Sequence, residues 1–267
     1  MASILNNIGS LKATRNLQLS EIGLNKTIGR LSTGQRINQA SDDAAGLQIS
    51  NNLRADIRIM NQARRNANDG NGRIAIAEGV MQEAVNLLVR SAELAEQAAS
   101  GTTSSAGRVA LNQEFTEIKA SLDSMDSDTR FDSGEIFGSS FVVRVGELST
   151  EIVTVTTQPI DSATLGVTGN LLTSNAADAT LAAVSSAISL ISSNRGLLGA
   201  KSQRLNTLIN SIGISTENIQ AAESQIRDAD VASEVVNLTK YQILNQTGVS
   251  ALAQANQSSQ SVLSLLQ

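Results

Sequence analysis

The chain has 267 residues, 41% of them hydrophobic but only 2% aromatic, with one Tyr, four Phe and no Trp. Without Cys or His it has no thiol nucleophile, no disulfide, no thiolate or imidazole metal ligand and no histidine base. Its net charge of −5 speaks against a nucleic-acid partner.

Apolar surface drawn from Leu, Ile, Val and Ala, with a single proline (Pro159), predicts long helices packed on helices. The opening MASILNNIGSLKATRNL has no basic segment followed by an apolar one. No run reaches the roughly 18 apolar residues of a membrane span. These rules predict a soluble chain with no cleaved signal and no membrane insertion.

Residues 1–32 are helical in pattern. Ile4, Ile8 and Leu11 fit one stripe; Leu17, Leu24, Ile28 and Leu31 fit another. RLSTGQRINQASDDAAGL, residues 30–47, then interrupts the apolar pattern with turn-forming residues and reads as a polar hinge. Ser41-Asp42-Asp43 closes it. A carboxylate pair there could suggest acid–base or metal chemistry, but nothing nearby completes a site. The sequence reads as a helix start, with Ser41 as N-cap and both aspartates favoured by the helix dipole.

From Leu53 the spacing alternates between four and three through Ile57, Met60, Arg64, Ala67, Asn71, Ile74, Glu78, Met81, Val85, Leu88, Ala92, Ala95 and Ala99. The phase survives Asn68-Asp69-Gly70-Asn71-Gly72, which local rules would make a turn, and predicts one helix over 43–100. Gly70 and Gly72 make no phosphate loop, for no lysine and no preceding strand accompany them. Arg54, Arg58, Arg64 and Arg65 read as solvated or subunit-contact charges. GTTSSAG is a loop, after which Leu111, Phe115, Ile118, Leu122 and Met125 predict a second, antiparallel helix over 107–127.

Residues 130–175 are rich in β-branched residues and glycine and read as one or two β-hairpins followed by loop. Helical spacing returns over 176–226, through Val184, Ile188, Ile191, Arg195, Leu198, Ser202, Leu205, Ile209, Ile212, Thr216 and Ile219. The phase slips at Arg227-Asp228-Ala229-Asp230, a boundary signal. A new stripe follows through Val231, Val235, Leu238, Gln242, Asn245, Val249, Leu252, Asn256, Leu263 and Leu266. No charged residue occurs after Lys240, although Gln, Asn and Ser are dense there. Such a helix suits burial among other helices.

ILNNIGSLKATRNL, RLSTGQRINQASDDAAGLQIS, QARRNANDGNGRIAIAEG and QIRDADVASEVVNLTKYQILNQTGVSALAQANQSSQSVLSLL resemble bacterial flagellin over about residues 1–130 and 176–267. The resemblance implies a mainly α fold, a long antiparallel bundle with a small β-hairpin region. Residues 1–42 and 227–267 would pair as an inner core domain and 43–226 would form an outer one. It implies a short, core-only subunit that polymerises into the filament for swimming. Terminal-helix assembly residues would be Ile4, Ile8, Leu11, Leu24, Ile28, Leu31, Val231, Val235, Leu238, Val249, Leu252, Leu263 and Leu266. No catalytic residue, cofactor or metal is implied. Partners would be other subunits, the flagellar export apparatus, a chaperone and cap or junction proteins, with secretion to the filament.

Many flagellins are recognised by a Toll-like receptor around a Q-R-V-R-E-L-A motif, with a glutamate on the next helix. The aligned VRSAELA keeps Arg90, Glu93 and Leu94, and Glu114 matches too. Val89, Ser91 and Ala92 depart, which implies a weakened contact. The alternatives are a hook–filament junction protein, an enzyme and an intracellular helical adaptor. The zinc-protease insert of some flagellins needs an H-E-x-x-H pair, which a chain without His cannot supply.

Overall fold

The computed structural model describes residues 7–148 and 150–264, and the side chains only as far as 258 within the last helix. The elements are α1 (Ile8–Thr33), α2 (Ala44–Ala99), α3 (Ser105–Asp128), β1 (Arg130–Phe131), β2 (Gly134–Glu135), β3 (Ser140–Arg144), β4 (Ile152–Thr156), α4 (Ser174–Arg227) and α5 (Val231–Ser264). The fold is mainly α, as the periodicity predicts. Two compact units result, one of Met1–Ala55 with Asn218–Gln267 and one of Asp56–Glu217.

In the second unit α2 runs unbroken through Gly70 and Gly72. Its buried seam is Ala63, Ala67, Gly70, Ile74, Ala77, Met81, Ala84, Leu88, Ser91, Ala95 and Ala98, again in steps of four and three. This corrects the sequence stripe at every second position. Asn71, Glu78, Val85, Ala92 and Ala99 sit half-buried on the shoulder, and Arg64 is exposed. Small residues occupy the seam because neighbours already fill the space. A Cβ on Gly70 would lie 2.7 Å from a methyl of Val143 and 3.4 Å from Leu205.

Facing α2 is α4, whose seam is Ala177, Thr180, Val184, Ala187, Ile191, Asn194, Leu198, Leu205 and Ile212. The pair is antiparallel and fixed by polar contacts: the Asn71 amide donates to Asn206 Oδ1 at 2.8 Å, and Arg195 lies 3.8 Å from Glu78. By length and composition α4 is apolar enough to cross a membrane, with a window of mean hydropathy 1.3, although no unbroken apolar run produces that average. Its serines and glycines interrupt the apolar run without adding charge.

α3 begins at the Ser104 cap, whose hydroxyl oxygen accepts from Gly107 N at 3.1 Å. It buries Phe115, Ile118 and Leu122, and Arg108 donates to Ala98 O at 2.7 Å, tying it back to α2. β1 and β2 join through Asp132 and Ser133, both at positive φ, the geometry of a tight primed turn. β3 and β4 pair antiparallel with Val143 opposite Val153, and bury Val143, Val153 and Val155 in the core.

Residues 157–173 have no regular structure but are fastened. Ile160, Leu165, Val167 and Leu171 are buried. One side of α3 supplies acceptors to the segment's backbone: Asn112 to Leu171 N (2.9 Å), Asp123 to Ser162 N (2.8 Å) and Asp126 to Ile160 N (2.7 Å). Burial pushes the Asp126 carboxyl up, and the Ile160 hydrogen bond opposes that rise.

The helix glycines make a paired test. A Cβ on Gly72 would meet nothing within 4 Å. Gly72→Ala should stabilise the second unit by about 1 kcal/mol through helix propensity. Gly70→Ala makes the same gain, but its Cβ strikes the buried, β-branched Val143. It should melt below Gly72→Ala by about 1–3 kcal/mol. Urea titrations followed by circular dichroism check both; equal midpoints would show that the hairpin does not rest on Gly70.

Candidate functional site

In the first unit α1 and α5 pair, with Cα atoms approaching within 8 Å. The contacts run antiparallel from one end to the other. The Asn7 amide donates to Ala255 O at 3.0 Å, Leu17 lies against Gly248, Gly23 lies under the Tyr241 ring, and Arg30 meets Glu234 at 3.0 Å. A Cβ on Gly23 would fall 2.5 Å from that ring. The seam is therefore built of small and polar residues with a few leucines. On α1 it comprises Ser10, Ala13, Leu17, Ser20, Leu24, Thr27 and Leu31; on α5, Glu234, Leu238, Tyr241, Asn245, Gly248, Leu252 and Ala255.

The larger apolar side chains face outward. Ile8 is 60% exposed, Leu11 65%, Val231 57% and Val236 65%; Ile28, Val235 and Val249 are also exposed. Of the expected assembly residues, Leu24, Leu31, Leu238 and Leu252 are half-buried in the seam instead. Ile4 and Leu266, and the side chain of Leu263, lie outside the described residues. The sequence stripes missed Leu19, Ile22, Ile243 and Leu244, all exposed. Leu19 and Ile22 fall outside both stripes read along 1–32, and Ile243 and Leu244 fall outside the stripe read along 231–267.

The polar stretch after α1 is fastened at several points. Gly34 caps α1 at φ +69, in the left-handed region glycine tolerates. Its carbonyl accepts from Ala229 N at 3.0 Å, and Arg36 N donates to Arg227 O at 2.7 Å, so the two linkers pair as a short antiparallel bridge. Ile37 is buried against Gly46. Asp42 lies 2.7 Å from Lys26 and also accepts from Asn38 N and Gln39 N. The Lys26 hydrogen bond pulls the Asp42 carboxyl down to about 2.

Ser41 is not the N-cap expected of it. Asp43 Oδ1 accepts from Gly46 N at 2.9 Å and fills that role, while the Ser41 hydroxyl turns to Gln39. Helix α2 starts at Ala44, so the cap must come from the residue before it. Asp230 does the same for α5, accepting from Ala232 N at 3.0 Å.

The second unit carries the other candidate residues. Arg90 Nε donates to Glu114 at 2.8 Å and its Nη1 to Glu93 at 3.0 Å; all three are exposed. Leu94 is 1% exposed and packs in the core, so its side chain is not a surface contact. Ser91 is buried too, its hydroxyl donating to Leu87 O at 2.9 Å.

Residues 4–141 match the family model for the bacterial flagellin N-terminal helical region, and residues 181–266 match that for the C-terminal helical region. Among curated relatives, flagellin FlaB1 of Treponema pallidum (strain Nichols) is 34% identical, covering 98% of this chain and 99% of its own. The flagellin of Halalkalibacterium halodurans is 35% identical with the same coverage. The crystal structure of Bacillus cereus flagellin aligns at TM-score 0.50 and 23% identity, over 55% of this chain and 88% of that one.

Proposed function

Because the chain belongs to the bacterial flagellin family, we propose that it is a structural subunit of the flagellar filament. The outward-facing apolar side chains of α1 and α5 carry this reading. Each contributes about 1.5–3 kcal/mol when fully buried, and the α1–α5 seam leaves them to other molecules. Identical subunits joined by contacts that do not close form an open helix. In this reading residues 1–42 and 227–267 form the inner core domain and 43–226 the outer one. The protein acts by association and catalyses nothing. It is exported to the growing filament with the help of a chaperone, and meets cap and junction proteins at the filament ends.

Electron microscopy of the pure protein tests this. Long filaments are the expected result; discrete oligomers would point to an adaptor, and short junction-like assemblies to a hook–filament role.

Filaments also offer an acid test of the linker. The folded Asp42 carboxyl titrates below its ordinary value near 3.9. The Lys26–Asp42 contribution is therefore fully present above about pH 4 and is lost as the pH falls towards 2. Lys26 is 47% exposed, so the pair is worth only about 0–1 kcal/mol. Filaments of Asp42→Asn should disassemble at lower denaturant than the parent at pH 7, and alike near pH 2. A gap that persisted at pH 2 would remove the ion pair as its cause.

The Arg90–Glu93–Glu114 cluster is a weakened contact for the immune receptor, since Ser91 and Ala92 replace motif residues. Monomer should activate reporter cells poorly. Ala92→Arg should raise potency about tenfold or more if an arginine hot spot is what is missing.

A further inference from the structure

Asn71-Gly72 is the one Asn–Gly pair in the sequence, and it lies in the middle of α2. Asn is a thermolabile residue. A following glycine makes it more so, because no Cβ hinders approach of the next backbone nitrogen to the side-chain amide. The reaction is a deamidation. The Gly72 nitrogen bonds Asn71 Cγ and passes its proton to Nδ2, which leaves as ammonia. Water then opens the five-membered imide at one carbonyl or the other, giving aspartate or isoaspartate.

The fold closes this route. α2 runs unbroken from Ala44 to Ala99, so residue 71 keeps a helical ψ, outside the range in which the ring can form, and the Gly72 N–H is engaged in the helix ladder. The Asn71 amide is held across the unit as well, donating to Asn206 Oδ1 on α4 at 2.8 Å. The folded rate is therefore the unfolded rate scaled by the fraction of time that α2 is open at this point, about 10⁻³ or less in a stable core.

We infer that Asn71 is a modification site, silent in the folded chain and reactive in the unfolded one, whose isoaspartyl product bars the chain from refolding. Isoaspartate routes the main chain through the side chain and adds a backbone carbon. Ala67 and Gly70 precede this point and Ile74 and Ala77 follow it, all buried on one seam. An added carbon puts the two halves of that seam out of phase. Gly70 has no room to shift, for even a Cβ there would lie 2.7 Å from Val143. Aspartate, the other product, loses the hydrogen bond that the amide donated and sets a carboxylate against Asn206 Oδ1. A chain that lingers unfolded is thereby marked and kept out of the second unit's fold, whether or not the chain polymerises.

Full-length protein, folded or in guanidinium chloride, is held in mildly alkaline buffer, and samples are digested with trypsin. Cleavage after Arg65 and Arg73 releases residues 66–73, in which Asn66 and Asn68, followed by Ala67 and Asp69, are internal controls. In denaturant the fragment should gain the mass of an amide-to-acid exchange at Asn71; in folded protein it should do so at least about a hundredfold more slowly. Equal rates in the two states, or exchange at Asn66 and Asn68 as fast as at Asn71, would overturn the inference. Refolding tests the consequence. Protein aged in denaturant and then diluted should leave isoaspartate in the misfolded fraction, and the yield of helical monomer should fall in step with modification. Gly72→Ala supplies the rescue. Its Cβ meets nothing within 4 Å in the folded helix, yet it hinders ring closure in the open chain. It should deamidate severalfold more slowly and keep its refolding yield on ageing. A variant that lost yield as fast as the parent, or isoaspartate found equally in refolded monomer, would show that the modification does not act on folding and would sink the proposal.

Discussion

A chain lacking residues 241–267 is expected to remain a soluble, helical monomer and to form no filaments. The deletion removes Tyr241, Gly248, Leu252 and Ala255 from the α1–α5 seam. It also removes Ile243, Leu244 and Val249 from the outward apolar surface. Burying those three against neighbours would contribute about 5–9 kcal/mol, comparable to the roughly 4–15 kcal/mol that association costs in lost rigid-body freedom, so losing them is enough to abolish assembly. The second unit loses nothing, since its core clusters between Ala63 and Ile212. Circular dichroism should show retained helix, and sedimentation a single monomeric species. A deletion variant that still polymerised would assign assembly to the second unit.

Amide exchange over residues 235–260 should be nearly free in dilute monomer and slow in the filament. The seam pairs Ser10, Ala13, Ser20 and Thr27 with Asn245, Gly248 and Ala255, which bury little apolar area. Ordering each residue costs roughly 1–2 kcal/mol of backbone entropy. With the large side chains facing water, one pair of helices has little to set against that cost. Neighbouring subunits supply the missing burial, and no desolvated charge opposes it after Lys240. Protection equal in monomer and filament would make the α1–α5 pair a folded domain in its own right. The amides of 63–98 should be protected in both states and serve as the internal standard.

The long helices were legible because their seven-residue period outlasts local signals; Gly70 and Gly72 could not break a phase held over 56 residues. The seam itself was misplaced by one residue at alternate positions, and always in the same direction. A stripe chosen for apolar content takes Val85 over Ala84, Ile188 over Ala187, and Val235 and Val249 over Glu234 and Gly248. The structure takes the smaller or polar neighbour, because a seam position must fit what already stands opposite it. Sequence shows hydrophobicity but not the volume left by a partner. Gly23 under Tyr241 is the clearest case, since nothing local to Gly23 announces the ring. The Arg30–Glu234 pair escaped for a related reason: its partners are 204 residues apart. The fastening of 157–173 by Asn112, Asp123 and Asp126 was likewise invisible, because loop composition says nothing about what holds a loop down.

Tyr241 has an optical consequence. The chain has one tyrosine and no tryptophan, so its intrinsic emission comes from a single ring, apart from the weak signal of phenylalanine. That ring lies on Gly23, between two helices that pair at opposite ends of the sequence. Its quantum yield and anisotropy should therefore follow the closing of the terminal pair alone, blind to the second unit. Assembly could be timed in an unlabelled protein, subunit by subunit, with one natural fluorophore.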